Sequence, residues 1–222
     1  MPGDRIALDR TAAEQDEEDR FQSLYGRWRP MTPTEFAQQM QGFDRPWWLV
    51  GGWAIEAATG LRREHEDLDV SLLSCDVAAF VAFMRDRWHV WNNVGGVLHP
   101  LGDQWPTVDE PRSQLWLRSD AASPWIVDIP LTPDRDGWWT NKLMVDHVAP
   151  VDDVTEVDAS GIRHLRPEIV MLYKARHRRP KDLLDLDAVL AVLPAGRCAW
   201  LRDAVAMLDD DHPWLPRLVA TR

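Results

Sequence analysis

Residues 47–70 read WWLVGGWAIEAATGLRREHEDLDV. Residues 47–50 are a short apolar run with the character of a strand, Gly51 and Gly52 interrupt it, and residues 53–59 suit a short helix. Gly60 is placed to close that helix in the left-handed conformation. A basic link then leads to Asp67 and Asp69, which open a second strand over 68–73. Side chains two apart on a strand share a face, so both carboxylates point one way while Leu68 and Val70 enter the core. Two adjacent carboxylates repel unless a cation lies between them, and Mg²⁺ suits such a pair because it combines a few hard oxygen ligands with substrate phosphates. Gly51 and Gly52 lack a Cβ, so their backbone N–H groups can come close to a phosphate at the start of the helix. Neither a glycine pair nor a D-x-D is specific alone. Together, in this order and about fifteen residues apart, they are.

The 222-residue chain is long enough for a substantial core, and two lobes sharing one interface are expected. Its formal charge of −11 disfavours nucleic acid as a partner and favours cationic small molecules. Cys75 and Cys198 match no metal or redox spacing, so both are expected in the core of a protein in a reducing compartment. No apolar run has the length of a membrane helix and the N-terminus is acidic, which predicts a cytoplasmic protein with no membrane association. The abundant tryptophans are expected mainly in the core.

Along the chain, residues 1–30 are expected as an acidic, mobile or loosely docked tail without chemistry. Thr32 and Glu35 form a capping box for a helix burying Phe36 and Met40, ended by Gly42. Ser74 is placed to cap a helix with Val77, Phe80, Val81 and Met84 on one face. Strands follow at 89–94 and 96–101, joined by a tight turn at Gly95-Gly96, and at 114–118 and 125–129. Residues 102–111 read as a loop and 132–150 as irregular. A hairpin over 154–158 and 162–165 turns at Ser160-Gly161. From Pro167 onward the chain reads as helices over 168–176, 181–192 and 197–208. Leu183, Leu186, Val189 and Leu190 of the second, and Leu201, Val205 and Leu208 of the third, are expected inward. The proposed domains are thus the 1–30 tail, a 31–166 core and a 167–222 helical lobe.

The motifs G-G-W-A-I-E, G-L-R-R and H-E-D-L-D-V in residues 51–70 resemble the aminoglycoside and lincosamide nucleotidyltransferase subgroup of the DNA-polymerase-beta-like superfamily. Many superfamily members carry Ser after the first glycine, where this chain has Gly52, so phosphate contact would rest on backbone amides. The resemblance implies an α+β nucleotidyltransferase core, a small mixed sheet with helices on one side, followed by a helical C-terminal lobe across the active-site cleft. It also implies a third carboxylate, for which Asp128 in the apolar stretch WIVDIP is the best placed. By this analogy Asp67, Asp69 and Asp128 are the catalytic and metal-binding residues, holding two Mg²⁺ ions, with Asp128 taking the proton of the attacking hydroxyl.

Gly51, Gly52, Arg63, His65 and Lys174 are the candidate nucleotide-binding residues. A solvated role is equally open for Arg62, and the basic run 176–181 is read as complementing a helix end and the nearby Asp182 and Asp185. The implied reaction moves AMP from ATP to a hydroxyl of a small molecule, preferably an aminoglycoside-like antibiotic. Two other readings stay open: a toxin–antitoxin or regulatory protein that modifies or binds a protein partner, and a nucleotide-binding module without turnover. Substrate choice is expected to reside in 102–111 and 132–150.

Overall fold

The computed structural model describes residues 5–8, 11–102 and 113–219. The loop expected at 102–111 therefore lies, beyond Gly102, outside the described residues. In chain order the elements are α1 (Ala12–Tyr25), α2 (Pro33–Gln39), β1 (Trp47–Leu49), α3 (Gly51–Thr59), β2 (Val70–Leu72), a 3₁₀ turn (Ser74–Asp76) and α4 (Val77–Met84). Next come β3 (His89–Val94), β4 (Val97–Pro100), β5 (Ser113–Arg118), β6 (Val127–Pro130), β7 (Asp134–Arg135), β8 (Trp138–Thr140) and β9 (Val148–Ala149). The chain finishes with α5 (Val151–Val154), β10 (Thr155–Val157), β11 (Arg163–Leu165), α6 (Pro167–Lys174), α7 (Pro180–Val192), α8 (Ala195–Leu208) and α9 (Leu215–Val219). The architecture is the expected α+β mixture, and no helix among the described residues is long and apolar enough to cross a membrane.

Two four-stranded sheets, in the orders β10-β11-β1-β2 and β4-β3-β5-β6, meet where β2 runs beside β6. Parallel bridges Asp69↔Asp128 and Leu73↔Thr132 form the seam. The Asp128 N–H donates to the Leu68 carbonyl at 2.9 Å and the Thr132 N–H to the Leu72 carbonyl at 3.0 Å. β1 pairs with β11 in parallel and with β2 antiparallel, so the first sheet is mixed. β3 and β4 pair as far as Val94↔Val97, which leaves Gly95 and Gly96 as a two-residue turn. Their φ angles of 58° and 86° are those such a turn requires.

Local chemistry explains most of the elements. The capping box of Thr32 and Glu35 starts α2, and Phe36 and Met40 are buried behind it. α4 buries Val77, Phe80 and Met84 with Val81 partly covered, which is the predicted stripe. The Ser74 hydroxyl, however, donates to the Thr132 carbonyl at 3.0 Å instead of capping α4, so it fastens the sheet seam. α3 begins at Gly51, two residues earlier than expected, with both glycines in its first turn. Residues 132–150 are not wholly irregular: β7, β8 and β9 form a small antiparallel sheet. Cys198 is buried as expected, but Cys75 is exposed.

The N-terminal region is more structured than a tail. α1 buries no residue completely, yet Phe21 and Tyr25 lie against the Trp116 ring at 5.9 and 6.1 Å between centroids. Ahead of it, Ile6 bridges to Arg63, accepting from Glu64 N–H and donating to the Arg62 carbonyl, each at 2.9 Å.

One apolar core runs from Phe36 through both sheets to Leu218 on α9. On α7 the buried positions are Asp182, Asp185, Leu186 and Val189, while Leu183 is 40% exposed. Leu208 of α8 is also exposed, against expectation, because it lies at the helix end. The core helix α4 offers a direct stability probe. Replacing fully buried Phe80 by Ala should lower unfolding stability by about 3–5 kcal/mol, measured by denaturant titration with unchanged slope.

Candidate active site

The site grows from the turn between β1 and α3. Val50 donates its N–H to the Asp69 carbonyl at 3.0 Å, which holds the turn over the start of β2. Gly51 then takes φ +60°, and a Cβ there would lie 2.1 Å from Asp69 Oδ2. Glycine is therefore required both by conformation and by the space the Asp69 carboxylate fills. A Cβ on Gly52 would meet Arg63 Nη2 at 2.3 Å and His65 Nδ1 at 2.7 Å. The two missing Cβ atoms thus admit an acid on one side and basic groups on the other. No side chain caps α3, so its first amides keep their donors at the site.

Asp67 and Asp69 both line a cavity of about 470 Å³, while Leu68 and Val70 between and after them are buried, as the alternation predicts. The Asp69↔Asp128 bridge brings the third acid alongside, behind the cavity wall. Burial, then repulsion from Asp67, pushes the Asp69 carboxyl up to about 7. Burial likewise raises Asp67, and burial followed by the charges of Asp69 and Asp67 raises Asp128 well above the ordinary carboxylate range. Asp128 Oδ1 is buried with no hydrogen-bond partner among the described residues. A cation between the three would relieve both the repulsion and the orphaned oxygen, so the donor set fits a hard divalent ion. Among the described residues no three His, Cys, Asp or Glu side chains converge into a ready-made cage.

Gly51, Gly52, Arg63, His65 and Lys174 line the same cavity. Arg63 is buried and forks onto Asp185 of α7, with Nε–Oδ1 at 2.8 Å and Nη2–Oδ2 at 3.0 Å. Lys174 is also buried, with Nζ 3.0 Å from Asp182 Oδ1 and from Asp185 Oδ2. His65 stacks on Trp53 with ring centroids 4.0 Å apart and pairs with Glu56 at 2.8 Å. Burial depresses its pKa to about 4, so it is neutral at pH 7. Trp53 Nε1 in turn donates to the Asp67 carbonyl at 3.1 Å, and Arg5 clasps Glu56 at 2.6 and 2.8 Å. The N-terminal segment, read as devoid of chemistry, therefore braces the link that carries the aspartates.

Sequence reasoning missed several residues on the cavity. Lys142 faces it from the segment between β8 and β9; burial draws its pKa down to about 8 against the pull of Asp128 and Asp69. Tyr173 OH accepts from the Lys142 N–H at 3.4 Å. Arg176, His177, Arg179 and Lys181 add a basic rim across from the acids, whereas Arg62 is exposed and outside it. The compositional signal for that rim, the run R-H-R-R-P-K, was visible; its orientation was not.

Residues 34–90 match the family model described as Aminoglycoside-2''-adenylyltransferase. The match spans about a quarter of the chain, and the fold is one it shares with solved antibiotic adenylyltransferases. The crystal structure of ANT(2'')-Ia in complex with adenylyl-2''-tobramycin is 17% identical, covering 79% of this chain and 95% of that one with a TM-score of 0.51. A solution structure of ANT(2'')-Ia is 16% identical over 83% and 92% of the two chains, TM-score 0.52. The lincomycin-bound lincosamide adenylyltransferase LnuA is 17% identical over 72% and 98%, with a TM-score of 0.49. No curated protein matches the chain significantly. At such identities the structural likeness concerns the fold. The resemblance read from residues 51–70 to the aminoglycoside and lincosamide nucleotidyltransferase subgroup is borne out, since those residues lie inside the matched segment.

The glycine turn gives a sharp test of this candidate site. Gly51→Ala should displace the Asp69 carboxylate and lower turnover about a hundredfold. Strain at positive φ should cost about 1–3 kcal/mol of stability, read from chemical denaturation of the same variant.

Proposed function

We propose that the chain transfers AMP from ATP to a hydroxyl of an aminoglycoside-like antibiotic, in the cytoplasm. The carrying observation is that Asp67 and Asp69 line a cavity of about 470 Å³ together with Arg63, Lys174, Arg179 and Lys181, while Asp128 is bridged to Asp69 behind its wall. That volume is ordinary for a small-molecule site. Its walls come from the proposed core, 31–166, and from the helical lobe, 167–222, so the substrates would be held between the two. The Aminoglycoside-2''-adenylyltransferase match and the adenylylated tobramycin bound to ANT(2'')-Ia support the choice of acceptor. A chain of formal charge −11 also suits a polycationic sugar.

In this reading the nucleotide lies with its phosphates between the first turn of α3 and the basic groups of α6 and α7. Arg63, Lys174 and the backbone amides of Gly51 and Gly52 hold the triphosphate, and neutral His65 fixes Arg63 from the side. The acceptor oxygen attacks the α-phosphorus, the new P–O bond forms as the bond to the β-phosphate bridge breaks, and pyrophosphate leaves. Asp128 takes the hydroxyl proton. Two Mg²⁺ ions on Asp67, Asp69 and Asp128 would supply charge neutralisation for the hydroxyl and the leaving pyrophosphate. The protein's own share is positioning and preorganised charge.

Incubation with ATP labelled in the α-phosphate, Mg²⁺ and a panel of aminoglycosides and lincosamides tests the reading. Label should pass to an aminoglycoside, and Asp67→Asn and Asp69→Asn should each slow transfer about a thousandfold while the chain stays folded. Absence of transfer to every aminoglycoside would remove the preferred acceptor, and label appearing on protein instead would point to a protein substrate. Chelation of divalent metal should stop transfer, with recovery on adding Mg²⁺ back.

A further inference from the structure

The buried face of α7 is unusual, because two fully buried carboxylates occupy places where a core helix carries apolar side chains. Asp182 and Asp185 are three residues apart and so share one face of the helix. Neither lines the cavity, whereas each of their basic partners does. Asp185 takes the Arg63 fork and also lies 3.0 Å from Lys174 Nζ. Asp182 takes Lys174 at 3.0 Å and the Arg179 guanidinium at 3.1 and 3.3 Å, together with the Arg179 backbone N–H at 3.0 Å. The result is an alternating cluster, Arg63–Asp185–Lys174–Asp182–Arg179, that joins the link before β2 to α6 and α7. It carries three positive charges on two negative ones. The cations form the cavity side and the acids the protein side.

We infer that Asp182 and Asp185 are positioning residues for polyphosphate recognition: they hold Arg63, Lys174 and Arg179 at fixed spacing so that the surplus positive charge faces the cavity. This rests on the nucleotidyl-transfer reading of the site. A long cationic side chain left to itself loses rotamer freedom when it binds an anion, and one already anchored loses less. A purely apolar core face on α7 would pack as well and often be at least as stable as a buried ion cluster, so stability alone does not explain the two acids. Their arrangement behind the cations does.

Asp182→Asn and Asp185→Asn are the variants to make, since each keeps side-chain volume and removes the charge. Equilibrium binding of pyrophosphate, ATP and AMP should be followed by calorimetry without acceptor, beside a thermal melt. For wild type, pyrophosphate and ATP should bind. In each variant both should weaken at least tenfold while AMP, which lacks the β- and γ-phosphates, changes less than threefold. In turnover, KM for ATP should rise with kcat largely kept. Equal weakening of AMP and pyrophosphate, or unchanged pyrophosphate binding, overturns the inference. If Asp185→Asn does not fold, Asp182→Asn decides, because its partner Arg179 is half exposed and sits at the start of α7. Wild-type protein that binds neither ATP nor pyrophosphate overturns the nucleotidyl-transfer reading itself. Wild-type binding with indifferent variants overturns only the role of the two acids.

Discussion

The hydrogen bond from the Asp128 N–H to the Leu68 carbonyl joins two sheets that would otherwise be separate layers. Because the pairing is parallel and in register at Asp69↔Asp128, it also fixes which side chains emerge together at the seam. Shifting β6 by one residue would bring Val127 or Ile129 to that position and turn Asp128 into the core, where no partner awaits it. The flanking residues oppose such a slip. Val127, Ile129, Leu68 and Val70 are all buried, so the apolar pattern on both strands holds the register that the acids, left alone, would resist. Core packing thereby sets the spacing of charges that repel one another.

That repulsion shapes the rest of the cavity. Three carboxylates with raised pKa values need positive charge within reach, and the fold supplies it from three directions: Lys142 beside β8, Arg63 before β2, and Lys174 of α6 with its neighbours at the start of α7. The basic side chains nearest the acids do not simply neutralise them. Arg63 and Lys174 are committed to Asp185 and Asp182, so the acids at the seam remain short of partners. A site in which each sign of charge is kept partly unsatisfied is suited to a ligand that brings both anionic phosphates and cations. An inert core would have been built with the charges paired directly.

The local parts of this design were legible in the sequence. The glycine pair, the Gly60 cap, the D-x-D alternation and the Thr32 capping box are signals carried by neighbours in the chain, and each element formed within a residue or two of its expected place. Asp128 was singled out because the resemblance implied a third carboxylate and a lone acid in WIVDIP is anomalous, and it does bridge to Asp69. What failed was the assignment of polar residues whose partners are distant in sequence. Leu183 looked inward by helical spacing, but the inward face of α7 was decided by Asp182 and Asp185, whose burial is intelligible only once Arg63, about 120 residues earlier, is seen to meet them. Lys142 lay in a segment with no periodicity, and Ser74 looked like a cap because the seam residue Thr132 was unknown to it. Arg5 was dismissed with an acidic tail for the same reason.

The glycines carry a steric constraint beyond the one read from the sequence. Their lack of a Cβ was read as room for a phosphate, and the first amides of α3 have no side-chain cap. Yet the volumes a Cβ would occupy are filled from within, by Asp69 at Gly51 and by Arg63 and His65 at Gly52. The turn is therefore a three-way junction in which backbone donors, an acid and a guanidinium approach within a few ångströms. Any side chain at position 52 would set its Cβ against Arg63 and His65, which can stand there only because Gly52 leaves the space open. Gly52 is thus coupled to the Arg63–Asp185 fork: the space a Cβ would take at position 52 is filled by a guanidinium anchored on α7.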